Sequence, residues 1–218
     1  MYDPDNLCGL FDDSSIADQW RRLIDLYHLM EEETGAFCQA YDIHCPKGCG
    51  TCCEHFIPDL TSVEASLIAG YLLFETRIPL LVEKLHESGG TACPLYDPDS
   101  GHHCTVYPVR GLICRLFGAC PSEDKRGLPV FRKCKYNEDP KARSLSENDI
   151  SQPVPTMQRY SVEFSAIDDG GGTKPLGEAV MEQMNRLRFL AAYLENGSDD
   201  DDNGGSDPLL PTPNPIAS

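Results

Sequence analysis

Between residues 45 and 53 the chain reads Cys-Pro-Lys-Gly-Cys-Gly-Thr-Cys-Cys, so Cys45, Cys49, Cys52 and Cys53 put four thiols into nine residues. Pro46, Gly48 and Gly50 let the intervening backbone turn tightly and aim several sulfurs at one point. Thiolates held that close repel one another unless a cation or a disulfide neutralises them. A second set follows at Cys93, Cys104, Cys114 and Cys120, with Cys134 an open case beyond it. The chemistry of such a set is metal ligation.

Two kinds of centre compete. Tetrahedral zinc takes four Cys or His ligands, often as two short-spaced pairs. The ligands are here, but not the regular C-x2-C…C-x2-C of a zinc ribbon. Iron–sulfur clusters accept less regular spacing and favour all-thiolate sets, and the strong candidates are all thiols. The spacing C-x3-C-x2-C also occurs in radical SAM proteins. Here Thr51 stands where an aromatic is common, and the strand–helix alternation of a partial barrel is missing. Cys52 and Cys53 are neighbours whose side chains are expected to diverge, toward two centres or with one sulfur in support. Cys45, Cys49, Cys52, Cys53, Cys93, Cys104, Cys114 and Cys120 are eight candidate ligands, enough for two four-thiolate sites or for one site with spare thiols.

Other groups stand close by in sequence. Arg110 and Arg115 flank Cys114, and Tyr107 precedes them. A guanidinium beside a metal-bound sulfur offsets its charge and donates hydrogen bonds; the alternative is an ion pair with one of the many carboxylates. His44 and His55 border the first cluster as nitrogen donors or as ordinary surface histidines. Cys8 reads as a spare thiol. No Ser-His-Asp set, phosphate-cradling glycine loop or HExxH helix is present, so no catalytic residue is assigned.

Composition narrows the setting. The chain has 218 residues, 40% of them hydrophobic and 8% aromatic, which supports a modest core. Eleven cysteines is an odd count, which suits full disulfide pairing poorly. The start is acidic and no apolar run approaches a signal sequence or a membrane span. The expected compartment is a reducing cytoplasm, where clustered cysteines are ligands more often than disulfides. The net charge of −17 argues against sequence-independent nucleic-acid binding, which draws on Lys and Arg at phosphates. The basic, aromatic run from Lys125 to Tyr136 reads as a local balance to that acidity. No membrane contact is expected, and a protein partner stays open.

The elements that must position these groups are mostly helical. An acidic segment spans 1–13, and one cysteine-cluster domain spans 14–195. Ser14 or Ser15 can cap a helix whose apolar face is Ile16, Trp20, Leu23, Ile24, Tyr27 and Met30, fraying at Glu31–Gly35. Thr61-Ser-Val-Glu64 is a capping box ahead of a second apolar helix. A short helix is expected from Pro79 to about Glu87, and another from Pro108, on which Arg110 and Cys114 would share a face. Residues 141–158 read as loop, and Tyr160–Ile167 as a short extended segment. A last helix is capped by Thr173, has Pro175 in its first turn and stops at Asn196 and Gly197. Residues 196–218, acidic and then proline-rich, read as a disordered tail. The fold class is therefore mainly α, a small loop-rich helical domain organised around a cysteine-ligated metal centre.

The combined pattern Cys45-x3-Cys49-x2-Cys52-Cys53, Cys93-Pro-Leu-Tyr, then Cys104-Thr-Val-Tyr107-x2-Arg110-x3-Cys114-Arg115-x-Phe117 resembles the zinc- or iron-chelating domain family, the YkgJ-like cysteine-cluster proteins. The resemblance covers about residues 38–136. It implies that Cys45, Cys49, Cys52, Cys53, Cys93, Cys104 and Cys114 are metal ligands, with Cys120 matching a less fixed cysteine. It implies as cofactor an iron–sulfur cluster, of the 4Fe-4S type, or zinc. A related region in SAM-dependent flagellin lysine N-methylases implies, as an alternative, an enzyme or accessory in protein modification or redox chemistry. Gly111 departs from the family, which usually has proline there.

Overall fold

A computed structural model of the protein describes residues 5–45, 49–76, 85, 90–139, 141–151, 153–168 and 170–197. The expected helix from Pro79 to Glu87 lies outside these apart from Leu85, as does the tail from residue 198.

The spine is helix α2, Ser15–Ala40, which follows the short α1, Asp5–Gly9. Ser14 caps α2 by accepting from the Ala17 N–H at 3.2 Å. The helix does not fray at Gly35, because Thr34 and Phe37 extend its buried face by two more turns. Packing overrides the weak helix preference of one glycine. Leu7, Cys8 and Phe11 are buried, so the acidic N-terminal stretch contributes to the core.

Helix α4, Ser62–Gly70, packs against α2, with α3, Thr51–His55, preceding it. Thr61 and Glu64 form the expected capping box. Trp20 is fully buried between the helices and donates its indole N–H to Ser66 Oγ at 3.1 Å. Gly70 permits the contact: a Cβ there would stand 2.7 Å from the Trp20 ring. A π-helical turn, Tyr71–Thr76, continues α4.

The C-terminal helix α7, Leu176–Gly197, lies along the other side of α4 and buries Val180, Met184 and Leu187 there. Thr173–Pro175 does not form its first turn. It is strand β4, antiparallel to β1, Asp59–Thr61, with Leu60 opposite Lys174. The Leu176 N–H then donates to Pro58 O at 3.0 Å. These strands clamp the starts of α4 and α7 together. A hairpin of β2, Ser122–Glu123, and β3, Pro129–Val130, is the other sheet element described.

Tyr160–Ile167, expected to be extended, lies mostly in helix α6, Met157–Ser165, which starts within the expected loop 141–158. Thr156 caps it by accepting from the Arg159 N–H at 3.2 Å, and Tyr160 and Phe164 are buried one turn apart. The domain is mainly α, with a principal core around Trp20 and a smaller cluster of Phe37, Phe131, Leu145 and Ile150. Among the described residues no helix is long and apolar enough to cross a membrane.

Candidate metal centre

The cysteines sit on short elements anchored by the core. Leu95, Val106 and Leu116, each two residues after Cys93, Cys104 and Cys114, are 1 to 2% exposed. This C-x-Leu/Val pattern, a signal present in the sequence itself, pins each segment while its sulfur stays partly uncovered. The backbone N–H groups of Leu95 and Tyr96 favour the thiolate of Cys93, and that of Val106 favours the thiolate of Cys104. Donors aimed at a sulfur suit an anion, free or metal-bound.

Two loops meet here. The Cys93 N–H donates to Cys53 O at 2.7 Å, and Cys104 bridges to Tyr96 across the turn between them. Gly50 lets them close up, since a Cβ on it would meet Tyr96 and His103 at 2.6 Å. Helix α5, Leu112–Leu116, brings in Cys114. Its first N–H, on Leu112, donates to Glu64 Oε1 at 2.7 Å, so the capping residue of α4 also holds the start of α5. Sequence reasoning found the capping box but not this second grip. At Gly111 a Cβ would come within 2.8 Å of Leu60 and 3.0 Å of Glu64 Oε1, which gives the glycine a steric reason.

Cys53, Cys93, Cys104 and Cys114 form an inner group in which burial and mutual repulsion act together. Burial first, then Cys104 and Cys52, push the Cys93 thiol up to about 11. Burial first, then Cys93 and Cys104, push Cys114 up to about 12. Cys52 and Cys53 do not diverge as expected: their sulfurs are 3.9 Å apart, within reach of an S–H···S hydrogen bond. The hydrogen bond between them favours the thiolate of one sulfur, Cys52, and with burial raises the other, Cys53.

Cys45, Cys49, Cys52 and Cys134 line one cavity of about 40 Å³. Partial burial, then Cys49, Cys134 and Cys52, push Cys45 up to about 11. Cys134, left open by the sequence, therefore stands with the first cluster. Cys120 stands apart from both groups. It is 3% exposed, with its S–H near Pro121 O and Pro155 O, and burial followed by Cys38 raises it to about 12.

The flanking groups divide. Arg110 does not share a helical face with Cys114, because its extended backbone lies ahead of α5. Its guanidinium stacks on Tyr107 at 3.7 Å, with His102 on the other face of that ring at 4.0 Å. Nη1 of Arg110 is buried without a hydrogen-bond partner among the described residues. Its charge favours the thiolates of Cys52, Cys104 and Cys114. Arg115, 4% exposed in its side chain, pairs with Glu31 and donates from Nε to Arg110 O at 3.0 Å. It braces the backbone that carries Arg110. His44 is exposed and turned onto Asp42 at 2.7 Å, and His55 packs on Tyr136.

None of the eleven cysteines forms a disulfide. Among the described residues no three Cys, His, Asp or Glu side chains stand close enough to grip an ion as they are. The thiols are gathered and the shell is open. The donor set nevertheless fits a thiophilic metal: clustered sulfurs, N–H groups aimed at them, and one cation with an unused N–H. Cys53, Cys93, Cys104 and Cys114, with Cys45, Cys49, Cys52 and Cys134, are the residues that would hold it.

No curated protein and no solved structure matches the chain. Residues 44–142 match the family described as "Putative zinc- or iron-chelating domain", whose signature is written CxxCxxCC. The matched range includes Cys134 and leaves out Cys38. The similarity to this zinc- or iron-chelating domain covers residues 44–142, just under half of the chain.

Proposed function

We propose that this is a metal-binding protein that holds an iron–sulfur cluster or zinc through thiolates drawn from three separate segments. The observation that carries the reading is the inner group: Cys53 on α3, Cys93 and Cys104 at the two ends of one loop, and Cys114 on α5. Cys53 and Cys114 act electrostatically on each other, as do Cys93 and Cys104. Burying four such groups together costs the fold unless their charge is neutralised. Arg110 supplies one positive charge, and a bound metal centre would supply two more in place of the thiol protons, leaving the site far less negative than four bare thiolates. The chain's residues then act as ligands and as N–H donors, and Arg110, on backbone braced by Arg115 and Glu31, would have Nη1 left to donate to a metal-bound sulfur. The loaded centre contributes folding free energy, because a core of this size is modest. No observation among the described residues favours a methylase-like activity.

Replacing Cys93 and Cys114 with serine, singly, tests this. Each variant is expected to lose metal and to melt at lower temperature than the loaded wild type. Full metal content in both would contradict the reading.

A further inference from the structure

We infer that the acidic run Asp199–Asp202 docks on a basic surface beside the first cysteine cluster, formed by Arg132, Lys133, Lys135, Lys141 and Arg143. The inference stands whether or not a metal is bound, and it adds an interaction surface to the reading above.

The surface belongs to the segment that follows the β2–β3 hairpin. Between residues 132 and 143 the chain carries those five cations against Glu138 and Asp139. Phe131 and Leu145 exchange backbone hydrogen bonds at 2.9 and 2.8 Å, and the Lys133 N–H donates to Ser144 Oγ at 3.1 Å. The two stretches therefore run side by side, which brings Lys133 and Arg143 to the mouth of one cavity with Cys45. All five cations are exposed. Lys135 lies 4.7 Å over the Tyr136 ring, and Arg143 acts on Asp149 only at longer range. None of the five has an ion-pair partner among the described residues, whereas Arg21, Arg115, Arg126, Arg159 and Lys174 each hold a carboxylate. Carboxylates outnumber cations in this chain by 35 to 18, so a patch of unpaired cations marks a place kept for an anionic partner.

The same chain supplies one. No Lys or Arg occurs after Arg188, and Asp199 to Asp202 are consecutive, with Asp207 close behind. The run lies outside the described residues and begins two positions beyond Gly197, where α7 ends. Four carboxylates in a row complement this patch and are repelled by the acidic remainder of the surface. Arg186 and Arg188 are nearer in sequence but offer only two charges. Single exposed ion pairs contribute little, whereas several charges meeting as a network hold together and respond to salt. Docked there, the run stands beside Cys45, the exposed thiol of the first cluster.

The test is carbodiimide cross-linking of the full chain, which joins a lysine amine to a carboxylate in contact with it, read by mass spectrometry. At low salt, Lys133, Lys135 and Lys141 are expected to link to Asp199–Asp202 about fivefold more than Lys125 and Lys174 do, the scale of one or two surface ion pairs. Salt at about 1 M, where the screening length is about 3 Å, should remove most of that excess. Arg143→Glu and Arg132→Glu keep every lysine, and each should cut the links about threefold. Two variants guard against a folding defect in one. Mixing isotope-labelled with unlabelled protein tells a run seated on its own chain from one seated on a second copy, and either placement supports the docking. Links spread evenly over Lys125, Lys133, Lys135, Lys141 and Lys174, or none from the run at all, would overturn the inference. So would links that both substitutions and high salt leave unchanged.

Discussion

The carboxylate of Glu64 accepts from the N–H and hydroxyl of Thr61 at 3.0 Å and from the N–H of Leu112 at 2.7 Å. It is 5% exposed, so replacing it leaves buried donors with no acceptor. Glu64→Ala is expected to lower stability by about 2–4 kcal/mol, from roughly 1–3 kcal/mol for each orphaned N–H. Glu64→Gln keeps an acceptor oxygen and should cost about half as much or less. Urea unfolding of the two variants checks this, with metal content as the second readout because Leu112 begins the helix that carries Cys114. A Glu64→Ala variant as stable as the wild type would show that the second grip is unimportant. At this scale much was legible. The cysteine spacings are local and carry their chemistry in the residue type. What was hidden is long-range: Cys134 joins Cys45 and Cys49 only through the fold. Arg110 looked helical from its spacing to Cys114, but Arg115 holds its carbonyl outside the helix.

Helix α6 shows what local reading misses. Pro153 and Pro155 suggest a loop, and the run from Tyr160 to Ile167 mixes β-branched and aromatic residues that suit a strand. The cap at Thr156 and the burial of Tyr160 and Phe164 on one face decide for helix. Thr156→Ala should therefore cost about 1 kcal/mol, the usual value for a lost N-cap, with a little more from its bond to Glu123 at 2.6 Å. Thermal melts would check it, and no change in melting temperature would mean that the cap is idle. The starts of α2 and α4 were legible because capping residues announce them. The end of α2 was not, because Phe37 keeps it helical by packing on Phe131 across the small cluster. For the same reason Thr173–Pro175 pairs as a strand, its partner lying more than a hundred residues away at Asp59–Thr61.

The whole molecule couples these thiols to pH. In the metal-free chain Cys93 is raised to about 11, and Cys114 and Cys120 to about 12, chiefly by burial. The folded state thus holds protons that the unfolded chain releases near 9. Between that pH and the folded values, stability falls as pH rises, by at most about 1.4 kcal/mol per pH unit for each thiol. Metal-bound thiolates have already lost their protons, so the loaded protein should decline more gently, with Cys120 the main remaining contributor of the three. Urea midpoints from pH 8 to 11, with and without metal, would show this; equal slopes would count against metal ligation by Cys93 and Cys114. Removing metal also leaves the acidic chain, at −17, without a cation that offsets its self-repulsion.

The most direct measurement is metal and acid-labile sulfide per chain, with a visible spectrum, on protein purified without oxygen. The thiolate account predicts stoichiometric metal: iron with matching sulfide and a brown protein, or zinc in a colourless one. A chain that purifies with neither, its cysteines paired in disulfides, would contradict it.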